Sequence, residues 1–144
     1  MKIKQTSIIA IIAPLMLASP VYANNPSQVE QLLETGACAN CDLSGADLSA
    51  AHLIGADLRN ANLSNANLTQ ANLEGADLTG ANLQGANLTQ AMVTNASLND
   101  ANLNQVNFTQ AMIYDADVSG ASMENLNLKN AQLFNTDISV GGQE

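Results

Sequence analysis

Large apolar residues recur at every fifth position along most of this chain. From Ala66 the sequence divides into quintets that read ANLTQ, ANLEG, ADLTG, ANLQG and ANLTQ. Each quintet has a small residue, then Asn or Asp, then a large apolar residue and two polar ones. Residues five apart lie about 140° apart around a helix and on opposite faces of a strand, so neither element puts every Leu on one side. The pattern therefore predicts a backbone that bends once per quintet.

A second period, of twenty residues, indicates how sharp each bend is. The dipeptide Thr-Gln recurs in register at positions 69–70, 89–90 and 109–110. If each bend is about a right angle, four quintets close one coil, and residue i returns over residue i+20 at the inter-strand spacing of about 4.8 Å. A three-sided coil would close after three quintets, so the dipeptide would recur after about fifteen residues. The sequence therefore predicts an all-β solenoid with four sides.

The quintet pattern A-[DN]-L-x-x resembles that of the pentapeptide repeat proteins, and it extends over residues 41–140. The resemblance implies their fold, a right-handed quadrilateral parallel β-helix, with the Ala and Leu of each quintet pointing inward. It also implies about five coils of four pentapeptides. The stacked Leu layers would fill the interior, so we expect no ligand pocket inside. Members of this family have very different roles, so function has to be argued from the exterior and the ends.

Residues 1–23 differ from the repeats in composition. Lys2 and Lys4 give a basic start, Ser7 to Leu17 is an apolar run, and Val21 to Ala23 offers small residues to a signal peptidase. The run is too short to span a bilayer. We interpret the segment as a cleaved signal peptide, with an uncleaved membrane anchor as the alternative.

Residues 24–40 are predicted to form an N-terminal capping helix and a junction, and 24–37 is the one segment with helical spacing. Ser27 and Glu30 are spaced as a capping box, and Gly36 is placed to end a helix. The apolar stripe of this helix would be Val29, Leu32 and Leu33. We predict a short capping helix over the first coil, whose apolar end and unpaired backbone groups would otherwise face water. Contact with a membrane or a partner is the alternative role.

Cys38 and Cys41 stand between the predicted helix and the repeats, spaced C-x-x-C. In an exported protein this spacing favours a structural disulfide. Packed thiols, a redox pair and half of a zinc site remain as alternatives. Zinc is disfavoured because His52 is the only histidine, and a redox role lacks the βαβ context. No metal, cofactor or catalytic residue is predicted, since no nucleophile has a base at a useful spacing.

Sorting the outward positions by the twenty-residue period places nearly all outward apolar residues on one side. These residues form a candidate interaction seam of Ile54, Met92, Met112, Tyr114 and Phe134. A cluster of exposed apolar residues often marks an interaction surface. We therefore expect a protein partner to bind at the seam, with self-association or cover by the tail, residues 141–144, as the alternative.

The charge of the chain narrows the classes of partner. The formal net charge is −9, and removal of Lys2 and Lys4 with the signal peptide would lower it to about −11. Nucleic acid and anionic membrane surfaces are disfavoured on this ground. An aspartate column of Asp57, Asp77, Asp117 and Asp137, interrupted by Ser97, is predicted on the side next to the seam. It lacks the defined cage of ligands that a calcium site needs.

The sequence favours a non-enzymatic structural or protein-interaction module that is exported from the cytoplasm. Residues 32–42, LLETGACANCD, resemble cyanobacterial members of the family, which implies the periplasm or the thylakoid lumen. The alternative also comes from the resemblance: some family members are similar to the DNA duplex in width and charge and occupy the DNA site of topoisomerases. The export signal argues against that role. A homodimer through the C-terminal coil is a further expectation, since no second capping helix is predicted.

Overall fold

The computed structural model describes residues 26–138, which form one short helix followed by a coil of regular turns. Helix α1 spans Pro26–Thr35. Strands β1, Met112–Tyr114, and β2, Gln132–Phe134, are parallel and in register with a separation of twenty residues. The predicted signal peptide at 1–23 and the tail at 141–144 lie outside the described residues. No helix within 26–138 has the length and apolar character that crossing a membrane would require.

The isolated β-bridges also join residues twenty apart, from Ala37–Asp57 to Asn107–Asn127. The backbone hydrogen bonds follow the same rule. The amide of the third residue in a quintet donates to the carbonyl nineteen residues further on, as Leu68 N–H does to Asn87 O at 2.8 Å. This is the stacking that the twenty-residue period predicts, and it gives the coil four sides, one per quintet.

The pairing between coils begins at Ala37, four residues before Cys41, where the sequence pattern places the first quintet. The amide of Cys38 donates to Asp57 O at 2.8 Å, and that of Asn40 to Arg59 O at 2.8 Å. Residues 36–40, GACAN, therefore have the backbone pairing of a quintet. The sequence pattern does not identify this quintet, because Gly36 and Cys38 occupy the positions that Ala and Leu occupy in other quintets.

Most bends are β-turns closed by a backbone hydrogen bond. The first residue of a quintet donates to the third residue of the quintet before, as Ala71 N–H does to Leu68 O at 3.0 Å. The fifth residue, between them, has a positive φ in every quintet from Asn40 to Asn135. Gly and Asn adopt this left-handed conformation most readily and fill most of these positions. The fifth position is therefore a turn signal in its own right.

The first and third residues of the quintets form the core. The large third-position side chains from Leu43 to Phe108 are at most 1% exposed, and Ala fills most of the small positions between them. Residues 26–138 bury no polar or charged residue and enclose no pocket. Each fully buried Leu contributes roughly 1.5 to 3 kcal/mol to the hydrophobic free energy of folding, so stability is spread evenly from Leu43 to Phe108.

The core loosens at the C-terminal end of the described residues. Met123, Leu126 and Leu128 are only partly buried, and Leu133 is 40% exposed, although the pattern places all four inward. Their inner neighbours belong to the preceding coil, and within 26–138 no further coil stacks on their outer edge.

Helix α1 ends at the predicted residue but begins before the predicted cap. The amide of Gly36, at φ +69°, donates to Leu32 O at 2.8 Å, which is how a glycine ends a helix. Pro26 opens the helix, a position that suits proline, so Ser27 lies within the first turn. Leu32 is 1% exposed, but Leu33, predicted to share its apolar stripe, is 52% exposed.

Polar side chains of the helix bond to the start of the coil. Gln28 Oε1 accepts a hydrogen bond from the Asp42 amide at 2.8 Å, and Gln31 Nε2 donates to Ala37 O at 2.7 Å. In later coils an amide such as that of Asn62 donates to the coil before it, here to Cys41 O. The side chain of Gln28 thus takes the place of a carbonyl that the first coil lacks.

Removing a core side chain should cost more in the middle of the coil than at its C-terminal end. Leu78 is fully buried, so Leu78→Ala should lower the free energy of unfolding by about 2 to 5 kcal/mol. Leu128→Ala, at a partly buried position, should cost about half as much or less. Urea unfolding followed by circular dichroism measures both. Equal losses would contradict a core built from stacked layers.

Candidate interaction surface

One side of the coil carries most of the apolar residues that point outward. Its quintets are 51–55, 71–75, 91–95, 111–115 and 131–135. Their second residues pair in one column, in which Met92 joins Met112 and Met112 joins Gln132. The two Met side chains are half-buried and lie one above the other. The structure therefore brings together the methionines that the twenty-residue period assigned to this side.

Two aromatic residues extend this apolar surface. Tyr114 and Phe134 lie in β1 and β2, and their rings meet edge to face with centroids 6.4 Å apart and planes at 89°. The Tyr114 hydroxyl donates a hydrogen bond to Gln132 Oε1, which fixes the ring against the next strand. Phe134 is 67% exposed. We call Met92, Met112, Tyr114 and Phe134 the apolar patch.

Ile54 does not belong to this patch, although the sequence places it in the same seam. It is 62% exposed and shares its side, but Glu74 and Thr94 occupy the equivalent positions of the coils between it and Tyr114. The predicted seam is therefore interrupted by a charged and a polar residue. A single exposed Ile needs no functional explanation.

The C-terminal edge of the patch is continuous with the loosened end of the core. Leu133, which is 40% exposed, lies next to Phe134 in β2. Asp115 follows Tyr114 at the corner, where its Oδ1 accepts a hydrogen bond from Asn135 Nδ2 at 2.6 Å. The apolar surface thus turns from one side onto the end of the coil, with a carboxylate at its border.

A second side carries a ladder of amides and hydroxyls. Asn87 Nδ2 donates to Thr69 Oγ1 at 3.1 Å, the Thr89 hydroxyl donates to Asn87 Oδ1 at 2.6 Å, and Asn107 Nδ2 donates to Thr89 Oγ1 at 3.2 Å. At the adjacent corner three glutamines form a parallel ladder of Gln70, Gln90 and Gln110. These polar groups bond to one another between coils, so this side supports the fold and presents no converging site.

The aspartate column is held by turn hydrogen bonds and by two ion pairs of Arg59. Arg59 Nε and Nη2 donate to the two oxygens of Asp57 at 2.8 and 2.7 Å, and Nε lies 3.8 Å from Asp77 Oδ2. These bonds lower the pKa of Asp57 to about 2. Asp117 Oδ1 accepts from the hydroxyl and the amide of Ser119. Within 26–138 no His, Cys, Asp and Glu side chains converge as metal ligands would.

Cys38 and Cys41 meet at the junction of helix and coil. Their sulfur atoms are at bonding distance, 2.02 Å, and both residues are buried. Cys38 takes the large inward position and Cys41 the small one, in line with Leu58 and Ala61 of the next coil. The pair therefore forms part of the core. His52 is exposed, as its outward position predicts.

Comparison with known proteins places these features in a family. A family model of pentapeptide repeats matches residues 41–80 and 71–110, with eight copies. A crystal structure of a pentapeptide repeat protein from the Arabidopsis thaliana thylakoid lumen is 32% identical, over 76% of this chain and 70% of that one, with a TM-score of 0.50. The pentapeptide repeat protein Rfr23 from the cyanobacterium Cyanothece 51142 is 27% identical, over 79% of this chain and 95% of that one, with a TM-score of 0.51. No curated protein matches this sequence.

The ion pair at Asp57 predicts a pH effect. The carboxylate has an ordinary pKa of 3.8 and a folded pKa of about 2, so its contribution to stability is complete above pH 3.8 and is lost as the pH falls through 2. Arg59→Gln should return the pKa of Asp57 towards 3.8. An NMR titration of the side-chain carboxyl carbons measures this shift. Asp117, whose pKa is lowered by Ser119, is the internal control and should not move. An unchanged Asp57 midpoint would exclude the guanidinium as the cause.

Proposed function

This chain belongs to the pentapeptide repeat family, and we propose that it is an exported, non-enzymatic protein-interaction module that binds a partner through the apolar patch. Proteins of this family fold as right-handed quadrilateral β-helices, and we propose about five coils for this chain. The observation that carries the function is the exposure of Phe134, 67%, on a side that also holds Met92, Met112 and Tyr114.

The composition of the patch supports binding to a protein. Aromatic residues and Met are enriched at protein interfaces, and charged residues are depleted at the interface centre. The four patch residues carry no charge, while carboxylates such as Asp115 and Asp117 stand outside it. A partner that covered Phe134 would remove a large apolar ring from water, which is favourable by about 25 cal/mol per Å² of buried apolar area.

Export is supported by two features. Residues 1–23 have the composition of a signal peptide, and a similar protein of known structure comes from a thylakoid lumen. We propose the periplasm or the thylakoid lumen as the compartment. An oxidising compartment would keep Cys38 and Cys41 as a structural disulfide, which would close the junction between helix and coil.

We assign helix α1 the role of an N-terminal cap. Leu32 supplies the buried apolar contact, and Gln28 and Gln31 bond to backbone groups of residues 37–42. This arrangement supplies an apolar cover and hydrogen-bond partners where a preceding coil would otherwise be needed.

The acidic charge favours a second candidate, a DNA mimic that inhibits a DNA-binding enzyme such as a topoisomerase. A net charge of −9 is compatible with occupying a site built for phosphates. That target lies in the cytoplasm, whereas the first candidate requires export. The mature N-terminus of the protein therefore distinguishes the two functions.

We expect the mature protein to begin at Asn24. N-terminal sequencing or intact mass of the protein from its own cells measures this. A mature protein that still begins at Met1 and stays in the cytoplasm would contradict export and favour the DNA mimic.

Replacing the patch should abolish partner binding without unfolding the coil. A variant with Ser at Met92, Met112, Tyr114 and Phe134 should lose the proteins that the wild-type mature chain captures from its compartment. Ile54→Ser, on the same side but outside the patch, is the matched control and should capture them all. Thermal unfolding of both variants checks the fold. If the fourfold variant keeps every captured protein, the patch is not the binding surface.

A further inference from the structure

Strand β2 has a neighbour on one edge only among the described residues. Its Gln132 amide donates to Ala111 O at 2.8 Å, on the side of β1. From Cys38 to Phe108 the third residue of each quintet donates to the following coil, and from Asn40 to Asp115 the fifth residue does so. The corresponding amides of β2 and its corner, those of Leu133 and Asn135, have no acceptor within residues 26–138. The strand therefore presents a row of backbone groups on its outer edge.

Charged side chains protect the other sides of this end. The last described coil carries Glu124, Lys129 and Asp137 at outward positions, one on each of three sides. The fourth side carries Gln132 and Phe134, neither of which is charged. Charges on an edge strand oppose the addition of another strand, and uncharged apolar residues favour it. Only the side of the apolar patch thus lacks this protection.

We propose that the partner adds one extended strand to the free edge of β2 and lays an apolar side chain against Phe134. This deepens the proposed function, on which it rests, because it specifies how the apolar patch is used. Backbone hydrogen bonds to Leu133 and Asn135 provide affinity. The exposed apolar patch favours an apolar side chain on the incoming strand. The incoming side chain packs against Phe134, as the Phe134 ring packs edge to face against Tyr114.

The charge of the region specifies the partner further. Residues 111–138 contain four carboxylates and one cation, and the carboxylates are Asp115, Asp117, Glu124 and Asp137. A segment with basic residues beside its apolar ones is attracted to this end, and a second copy of the acidic chain is repelled. The occupant is therefore a basic, extended segment of another protein.

Synthetic peptides test this directly with the full mature chain. The probe contains Ala-Met-Ile-Tyr, the sequence of residues 111–114, between two pairs of Lys residues. Two control peptides carry Glu in place of Lys, or N-methyl groups on the backbone amides of the central residues. ¹H–¹⁵N NMR titration should show the Lys peptide shifting the amides of Leu133 and Asn135, with about tenfold weaker binding by either control. Equal binding of the N-methylated peptide would overturn strand addition.

Variants of the chain separate the strand edge from the apolar side chain. Leu133→Pro removes one free amide and keeps the bond from Gln132 to Ala111, and Leu128→Pro is the matched change on a charged side. Binding of the Lys peptide should fall about tenfold for the first and stay unchanged for the second. Gln132→Lys, with Asn127→Lys as control, gives the same comparison without proline if either proline variant fails to fold.

The outcomes distinguish this proposal from the function on which it rests. If Phe134→Ser abolishes peptide binding while Leu133→Pro and Gln132→Lys leave it intact, the patch binds partners but not by strand addition. If the edge variants abolish binding and Phe134→Ser does not, the assignment of the patch fails. Sedimentation showing a dimer of the wild-type chain that Gln132→Lys dissociates would identify a second copy as the occupant and overturn the proposal.

Discussion

The hydrogen bond from the third residue of each quintet to the carbonyl nineteen residues further on is the constraint on which the structure depends. It requires that the chain turn by the same amount after every quintet, because one irregular bend would put all later amides out of register. Each turn requires a residue with the left-handed backbone conformation at the fifth position, as at Asn40 and Asn135. The even core of Leu and Ala follows, since only the first and third residues point inward.

This constraint also confines the chemistry of the protein to its outer surface. Within residues 26–138 the core has no room for a ligand, and most outward polar side chains there bond to the neighbouring coil or to their own turn. Asn87, for example, bonds through both its amide nitrogen and its oxygen. A few outward residues depart from this polar pattern and present apolar surface to water. Tyr114 and Phe134 are such departures, which is why the patch they form bears on function.

Periodicity predicted much of the fold and part of the surface. The separation of twenty predicts that Met92 and Met112 share one column, because stacking makes residues twenty apart neighbours in space. Burial was harder to predict. Leu133 occupies an inward position but is exposed, since within residues 26–138 no further coil stacks on it. Ile54 lies on the same side as the patch but is separated from it by residues such as Glu74. Whether apolar positions form one surface therefore depends on the side chains of the coils between them. The left-handed turns at Gln70 and its equivalents could not be predicted from residue preference, because hydrogen bonding between coils holds them.

Scalar coupling across the backbone hydrogen bonds tests the central claim most directly. In ¹⁵N,¹³C-labelled protein, the amide nitrogen of Leu68 should couple to the carbonyl carbon of Asn87, whose oxygen lies 2.8 Å away. The equivalent coupling from residue i to residue i+19 should appear for the third-position amides from Cys38 to Phe108. Couplings from residue i to residue i−4 would instead show a helix and would contradict the four-sided coil.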